Sequence, residues 1–136
     1  MQCKIFNLKS FNSHGFNLTP IELKDVVPFE VKRVYYLVQQ DGESTGEHCH
    51  KIEEEVFIQV KGTSTIVIDR GNGKEEIELA SSGSAIYLPA YNWHGFKKPS
   101  DDCVILALSS TNYSADRSDY IDDYGEYLGV RDEKLK

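Results

Sequence analysis

Apolar residues recur with a period close to two over most of this chain, and that pattern excludes a helical fold. Val31 to Val38 (VKRVYYLV) is β-branched and aromatic. Val56 to Val60 (VFIQV) follows, then Thr63 to Asp69 (TSTIVID), in which Thr63, Thr65, Val67 and Asp69 share one face. Arg70-Gly71-Asn72-Gly73 reads as a turn, and Glu75 to Leu79 (EEIEL) alternates again. Ala85 to Leu88 (AIYL) runs into Pro89, and Cys103 to Leu108 (CVILAL) is an apolar run between polar clusters. Six or more short strands at this spacing predict an all-β sandwich or barrel. The end of the chain changes period. Asp119, Tyr120, Ile121, Tyr124, Tyr127 and Leu128 recur at helical spacing, with Asp116 and Asp119 placed to cap. One short C-terminal helix is expected there, covering one end of the barrel. Its acids (Asp116, Asp119, Asp122, Asp123, Glu126) read as a solvated face, and Arg131 to Lys136 as a frayed end.

Length and charge narrow the function classes. At 136 residues the chain is expected to form a single domain, residues 1–136, without internal repeats or linkers. The net charge of -7, from 22 acids against 15 bases, argues against a nucleic-acid partner, which needs Lys and Arg to neutralise phosphates. No apolar run approaches the length of a membrane span, and Met1 to Phe6 lacks the apolar stretch of a signal peptide. Cys3, Cys49 and Cys103 are odd in number and have no CxxC spacing. Free thiols in a reducing cytoplasm are the expectation.

The most informative stretch is GESTGEHCHKIEEEVFIQVKG, Gly42 to Gly62, which fits G-x5-H-x-H-x4-E-x6-G. This is similar to the first motif of the cupin barrel. The second motif is met in part by Gly83, Pro89 and His94, at G-x5-P-x4-H, with Tyr91 where a Gly is usual. The two motifs together predict a cupin-type jelly roll. His48 and His50 are two apart on a strand, so both rings point to one face. Glu54 or Glu55 and His94 can join them, while Cys49 points the other way as a small buried thiol. In the run Glu53-Glu54-Glu55, Glu53 and Glu55 share one face and Glu54 the other; at least one is expected to be solvated and one to orient a histidine. Three readings of the cluster compete. His48, His50, Glu55 and His94 are a donor set for Fe, Mn, Ni or Zn. Alternatively, one or both histidines do acid–base work without metal, or they are packing residues. Spacing alone favours the metal.

The wider chain resembles one branch of the cupins, the dTDP-4-keto-6-deoxyglucose 3,4-ketoisomerases. The stretches that carry the resemblance are PFEVKRVYYLV (Pro28 to Val38), GEHCHK (Gly46 to Lys51), VKG (Val60 to Gly62), IYLPAYNWH (Ile86 to His94), VILALSSTNY (Val104 to Tyr113) and SDYIDDYGEYL (Ser118 to Leu128). The resemblance implies a jelly-roll homodimer with exchanged N-terminal strands, catalysis without metal or other cofactor, and a dTDP-linked keto-deoxysugar as substrate. It also implies a place in deoxy-amino-sugar biosynthesis for lipopolysaccharide or another surface glycan. Carried over by position, it implies His48 and His50 as catalytic histidines and Tyr36 as their hydroxyl partner. Arg33, Lys51, Trp93 and His94 are the implied substrate contacts, and Tyr87, with Tyr91 and Trp93, is a candidate to stack on thymine. The chain departs from the family pattern at Thr45, where an Arg is common, at Cys49, where Ala is common, and at Asp122, where an Arg is common. The early D-x-R-G signature appears weakly as Asn12-Ser13-His14-Gly15. Sugar-nucleotide 3,5-epimerases also use a histidine and a tyrosine in a cupin barrel, but tend to be longer and lack this HxHK arrangement. A metal-dependent cupin and a non-enzymatic sugar-binding cupin are the remaining alternatives.

Overall fold

Alternation along the strands sorts the chain into two facing sheets. The computed structural model describes residues 2–80 and 82–135. A five-stranded antiparallel sheet has the order β1 (Lys4–Asn7), β9 (Ser84–Leu88), β6 (Glu55–Lys61), β11 (Val104–Ser109), β4 (Arg33–Val38). A three-stranded sheet has the order β10 (Trp93–Lys97), β7 (Ser64–Asp69), β8 (Glu75–Leu79). Two small pairings complete the jelly roll. The hairpin β2 (Phe11–Ser13) and β3 (Phe16–Leu18) lies near the amino end, and β5 (Cys49–His50) pairs with β12 (Tyr120–Ile121). Two helices are short: α1 (Leu23–Val26) and α2 (Tyr124–Lys134). None among the described residues is long and apolar enough to cross a membrane.

Inward positions of the two sheets meet in one apolar layer. Phe57, Ile66, Ile68, Leu79, Ile86, Leu88, Phe96 and Ile105 are all nearly inaccessible there. Burying each such side chain contributes about 1.5–3 kcal/mol. Outward positions of the large sheet form a second layer, with Val56, Ile58, Ala85, Tyr87 and Leu108 covered by Ile21, Val27, Phe29 and Val31 of the strap that precedes β4. Two motif glycines are explained by backbone. Gly62 turns β6 into β7 at φ 72°, and a Cβ there would lie 2.9 Å from the Cα of Cys103. Gly83 opens β9 at φ 91°, with Leu8 O only 3.1 Å from where a Cβ would sit.

The C-terminal expectation needs correcting in three places. Tyr120 and Ile121 form a strand rather than a helix, because they pair with His50 and Cys49. The cap of α2 is Asp123, whose side chain accepts from Glu126 N at 2.8 Å. Finally, Arg131 does not fray. It sits within α2 and reaches the fully buried Asp69 at 3.0 Å, beside the Tyr124 hydroxyl at 2.7 Å. Lys136 lies outside the described residues. Tyr127, Trp93, Cys49 and Ile121 pack together under α2, so the helix rests on the outside of the small sheet.

Candidate active site

Three imidazoles converge because two chain segments run side by side. His48 and His94 form a backbone bridge, with His48 N donating to His94 O at 3.0 Å and His94 N returning to His48 O at 2.9 Å. The His48 ring centroid lies 4.9 Å from those of His50 and His94. These rings, with Arg33, Tyr35, Leu37, Thr45, Phe57, Phe96, Tyr113 and Tyr120, line a cavity of about 250 Å³ that opens to solvent. The rings share the apolar interior with Phe57, 5.6 Å from His94.

Around His50 the cavity wall is acidic. Its Nδ1 donates to Asp119 Oδ2 at 3.0 Å, and its Nε2 lies 3.1 Å from Glu53 Oε2 and 3.2 Å from Glu55 Oε1. All three side chains at Nε2 are under 5 % exposed. Burial opposes charging of this ring. Contact with Glu55 and the charges of Glu55, Glu53 and Asp119 outweigh it and hold the His50 pKa above the ordinary value. His48 goes the other way. Burial, followed by the neighbouring His94 and His50, pulls its pKa down to about 3, so the ring is neutral near pH 7. The two neighbouring rings are thus shifted in opposite directions by their surroundings.

The acids have further partners. Glu53 accepts from Arg33 Nη2 at 3.0 Å, from the Ser109 hydroxyl, and from Thr111 Oγ1 at 3.3 Å. Glu55 accepts from the Tyr35 hydroxyl, and burial with the adjacent Glu55 charge raises the Tyr35 pKa. Burial resists the Glu55 charge, but His50 and His94 hold its carboxyl well below the usual range. His94 Nδ1 donates to Asn92 O at 2.9 Å, which fixes that ring and leaves Nε2 facing Glu55 Oε1 at 3.5 Å. Among the described residues, Glu55 Oε1, His94 Nε2 and Arg33 Nε are the buried side-chain atoms without a hydrogen bond. Buried polar atoms without partners are what a ligand would satisfy. His48, His50 and His94 each offer a nitrogen within 4.8 Å of the others, which is metal-like spacing. His50, Glu53 and Glu55 form a second group with such spacing, and both nitrogens of His50 face carboxylates.

The structure places His48, His50, His94 and Arg33 together at the cavity. Four other expected positions differ. Tyr36 lies on the outer face of β4 and is 70 % exposed; Tyr35 takes the cavity position, because β4 alternates without a bulge. Tyr87 also points outward, buried under the strap with its hydroxyl on Glu54. Trp93 points away from the cavity, packs on Tyr124 and Tyr127, and donates from Nε1 to Glu47 at 2.8 Å. Lys51 is exposed and does not line the cavity. The Glu run splits as its spacing implies, Glu53 and Glu55 inward and Glu54 outward, but none of the three is fully solvated. Cys49 is a buried thiol whose pKa burial pushes up to about 12. Asp119 was read as surface and is instead a site residue. No local signal marks it, because β12 is only two residues long and its partner strand lies about 70 residues away.

Fold and site together define a cupin-type jelly roll with histidines and carboxylates clustered at one cavity. Residues 1–132 match the family described as FdtA, WxcM-like, C-terminal. The chain is 35% identical over 128 residues to the TDP-4-oxo-6-deoxy-α-D-glucose-3,4-oxoisomerase of Aneurinibacillus thermoaerophilus, covering 93% of this chain and 91% of that protein. It superposes on the WlaRB TDP-quinovose 3,4-ketoisomerase of Campylobacter jejuni with a TM-score of 0.84 at 34% identity, covering 93% of this chain and 97% of that one. On QdtA, a sugar 3,4-ketoisomerase of Thermoanaerobacterium thermosaccharolyticum bound to TDP, the TM-score is 0.88 at 29% identity, covering 99% and 98%. The chain belongs to the FdtA family of sugar 3,4-ketoisomerases.

Proposed function

We propose that this protein is an isomerase that moves the ketone of a TDP-linked 4-keto-6-deoxyhexose from C4 to C3. A variant of QdtA, 28% identical to this chain, was crystallised with TDP-4-keto-6-deoxyglucose. The observation that carries the mechanism is geometric: the His48 and His50 rings lie 4.9 Å apart at the cavity, with carboxylates behind His50 only. The C3 proton lies α to the C4 carbonyl. His48 takes it, the C3–H electron pair becomes the C3–C4 double bond of an enediolate, and the C4 oxygen gains the charge. His50 and Tyr35 line the same cavity, and they stabilise that charge through the His50 charge and by the Tyr35 hydroxyl exchanging its Glu55 partner for the oxyanion. The proton of the C3 hydroxyl passes to the C4 oxygen, and His48 returns to C4 the proton it took, so the ketone reappears at C3 beside a C4 hydroxyl. No external oxidant or reductant enters. Arg33, at the cavity wall and over the Tyr35 ring at 4.8 Å, is the cation suited to a phosphate or sugar oxygen.

The same reading makes the protein a cytoplasmic homodimer in deoxy-amino-sugar synthesis for a surface glycan, acting without metal and with no nucleic-acid or membrane partner. Support for a second subunit is the apolar outer edge of the large sheet, where Val34, Tyr36 and Val38 are exposed, and the exposed Phe11, Phe16 and Leu18 of the amino hairpin. The test is proton NMR in D2O with chelator-treated protein and dTDP-4-keto-6-deoxyglucose. Loss of the C3 proton signal and growth of a 3-keto product are expected. No product, or product only after a divalent ion is restored, overturns the metal-free reading.

A further inference from the structure

The C-terminal segment reaches into the site at one point. Its other acids are exposed, among them Asp116 with Ser114 and Ser118, Asp122 with Arg117, and Asp123 with the α2 backbone. Asp119 alone turns inward, with a side chain only 14 % exposed. Its Oδ2 accepts from His50 Nδ1 at 3.0 Å, and its Oδ1 accepts from Ile52 N at 2.6 Å. Glu53 N lies 3.4 Å from Oδ2, and the Asp119 carbonyl accepts from Lys51 N at 2.8 Å. Its backbone is held by the pairing of Tyr120 and Ile121 with His50 and Cys49, and Ile121 is buried beneath α2.

We infer that Asp119 is a positioning residue for the isomerisation: it selects one orientation of the His50 ring and fixes the turn that delivers Glu53 to that ring. The inference rests on the reading of His50 as the cation that stabilises the enediolate. An imidazole without a partner at Nδ1 can flip about its Cβ–Cγ bond, which removes Nε2 from Glu53 and Glu55. The bond to Asp119 forbids the flip and keeps a proton on Nδ1, so Nε2–H stays aimed at the two buried acids. Tyr120, the residue next in the chain, closes over the ring at 4.5 Å between centroids. The groups that face His50 are therefore Asp119 and Tyr120 from the C-terminal segment, Glu53 and Glu55 beside β6, His48 preceding β5 and His94 on β10. Arg33 and Tyr35 on β4 act through Glu53 and Glu55.

Asp119→Asn, Asp119→Ala and Asp119→Glu are compared with the surface control Asp122→Asn. The expected result for Asn and Ala is a kcat about 100-fold lower with KM within about threefold, the size of an acid–base contribution. The alkaline limb of the pH profile moves to lower pH, Glu restores part of kcat, and Asp122→Asn matches wild type. A folded Asp119→Asn protein with wild-type kcat and pH profile overturns the proposal. Long-range ¹⁵N NMR of wild-type histidines keeps it testable if the variants do not fold. A protonated Nδ1 on His50 at neutral pH is expected, and an unprotonated one refutes it. Wild-type protein that fails to convert the sugar refutes the reading of the reaction instead, and leaves the Nδ1 measurement standing.

Discussion

The two faces of the large sheet carry opposite chemistry on the same strands. On the inner face, Tyr35 meets the buried carboxylate of Glu55, which lies against His50. On the outer face, Val56, Ile58 and Tyr87 pack under a strap of Ile21, Val27 and Phe29. Adjacent residues therefore have unrelated jobs: Tyr35 and Tyr36, Glu55 and Glu54, and, on β10 of the small sheet, His94 and Trp93. A step of one residue on a strand exchanges a reactive cavity for a packing layer. The inner face tolerates buried charge because each acid there has donors or a cation beside it, the condition under which buried charges persist.

The strongest way to break this contrast is His48→Asn. Its loss removes the ring whose pKa burial and the neighbouring histidines pull down to about 3. Turnover is expected to fall by about 10³-fold or more, within the range of general-base catalysis, while TDP affinity, measured by calorimetry, stays within about threefold of wild type. A variant that turns over like wild type removes His48 from the mechanism.

Next in size is the tyrosine pair. Tyr35→Phe removes the hydroxyl that Glu55 accepts and is expected to lower kcat about 10- to 100-fold. Tyr36→Phe, 70 % exposed on the other face, is expected to stay within about twofold. Steady-state assays of both variants decide it. The reverse result would mean that the outer face of β4 belongs to a site, and the two faces would no longer divide as described.

The tyrosine pair also shows how far the sequence could be read. Period-two alternation located β4, β6, β7, β8, β9 and β11 within a residue or two, and the two histidine motifs placed His48, His50 and His94 in one cavity. Resemblance to a family assigns Tyr36, whereas pleat geometry admits only one of two adjacent tyrosines, and the register with β11, Tyr35 opposite Ala107, sends Tyr35 inward. Tyr87 and Trp93 lie outside the histidine cavity for the same reason, since each neighbours an inward residue, Leu88 or His94. Asp119 was hidden for a different reason. Helical spacing across Asp119 to Leu128 is local, while the pairing of Tyr120 with His50 spans about 70 residues and leaves no periodic trace. The strands β5 and β12 are two residues each, too short for any alternation to show.

The pH dependence of turnover sharpens the inner face further. The folded pKa of His48 is lowered, so its imidazole remains a base well below the ordinary value of about 6.5. The folded pKa of His50 is raised, so its cation persists above 6.5. Activity should therefore be flat through pH 6.5, with an acid limb below it from His48 and an alkaline limb above it from His50. Stability follows the same signs. The His50 contribution is complete below pH 6.5 and is lost as pH rises through its folded pKa; the His48 contribution is complete above 6.5 and is lost as pH falls. A kcat/KM profile with a single limb centred near 6.5 would show an unperturbed histidine and contradict the split.

The smallest effect tests the outer face alone. Tyr87 is 3 % exposed and its hydroxyl donates to Glu54, whose backbone N is tied to Ser110 Oγ at 2.8 Å. Burial, then Glu54, raises the Tyr87 pKa, so the hydroxyl keeps its proton and stays a donor at neutral pH. Tyr87→Phe keeps the ring that packs at 6.3 Å from Phe29 and deletes only that donor. The expected cost is about 1–2 kcal/mol, because a half-buried carboxylate loses one partner and keeps access to water. In thermal melts followed by circular dichroism this is a drop in Tm of about 4–8 °C. Since the strand alternates and Tyr87 does not reach the histidine cavity, kcat is expected to stay within about twofold. A Tyr87→Phe protein with intact Tm and a large loss of kcat would join the two faces into one functional unit, since the hydroxyl would then be acting on substrate rather than on Glu54.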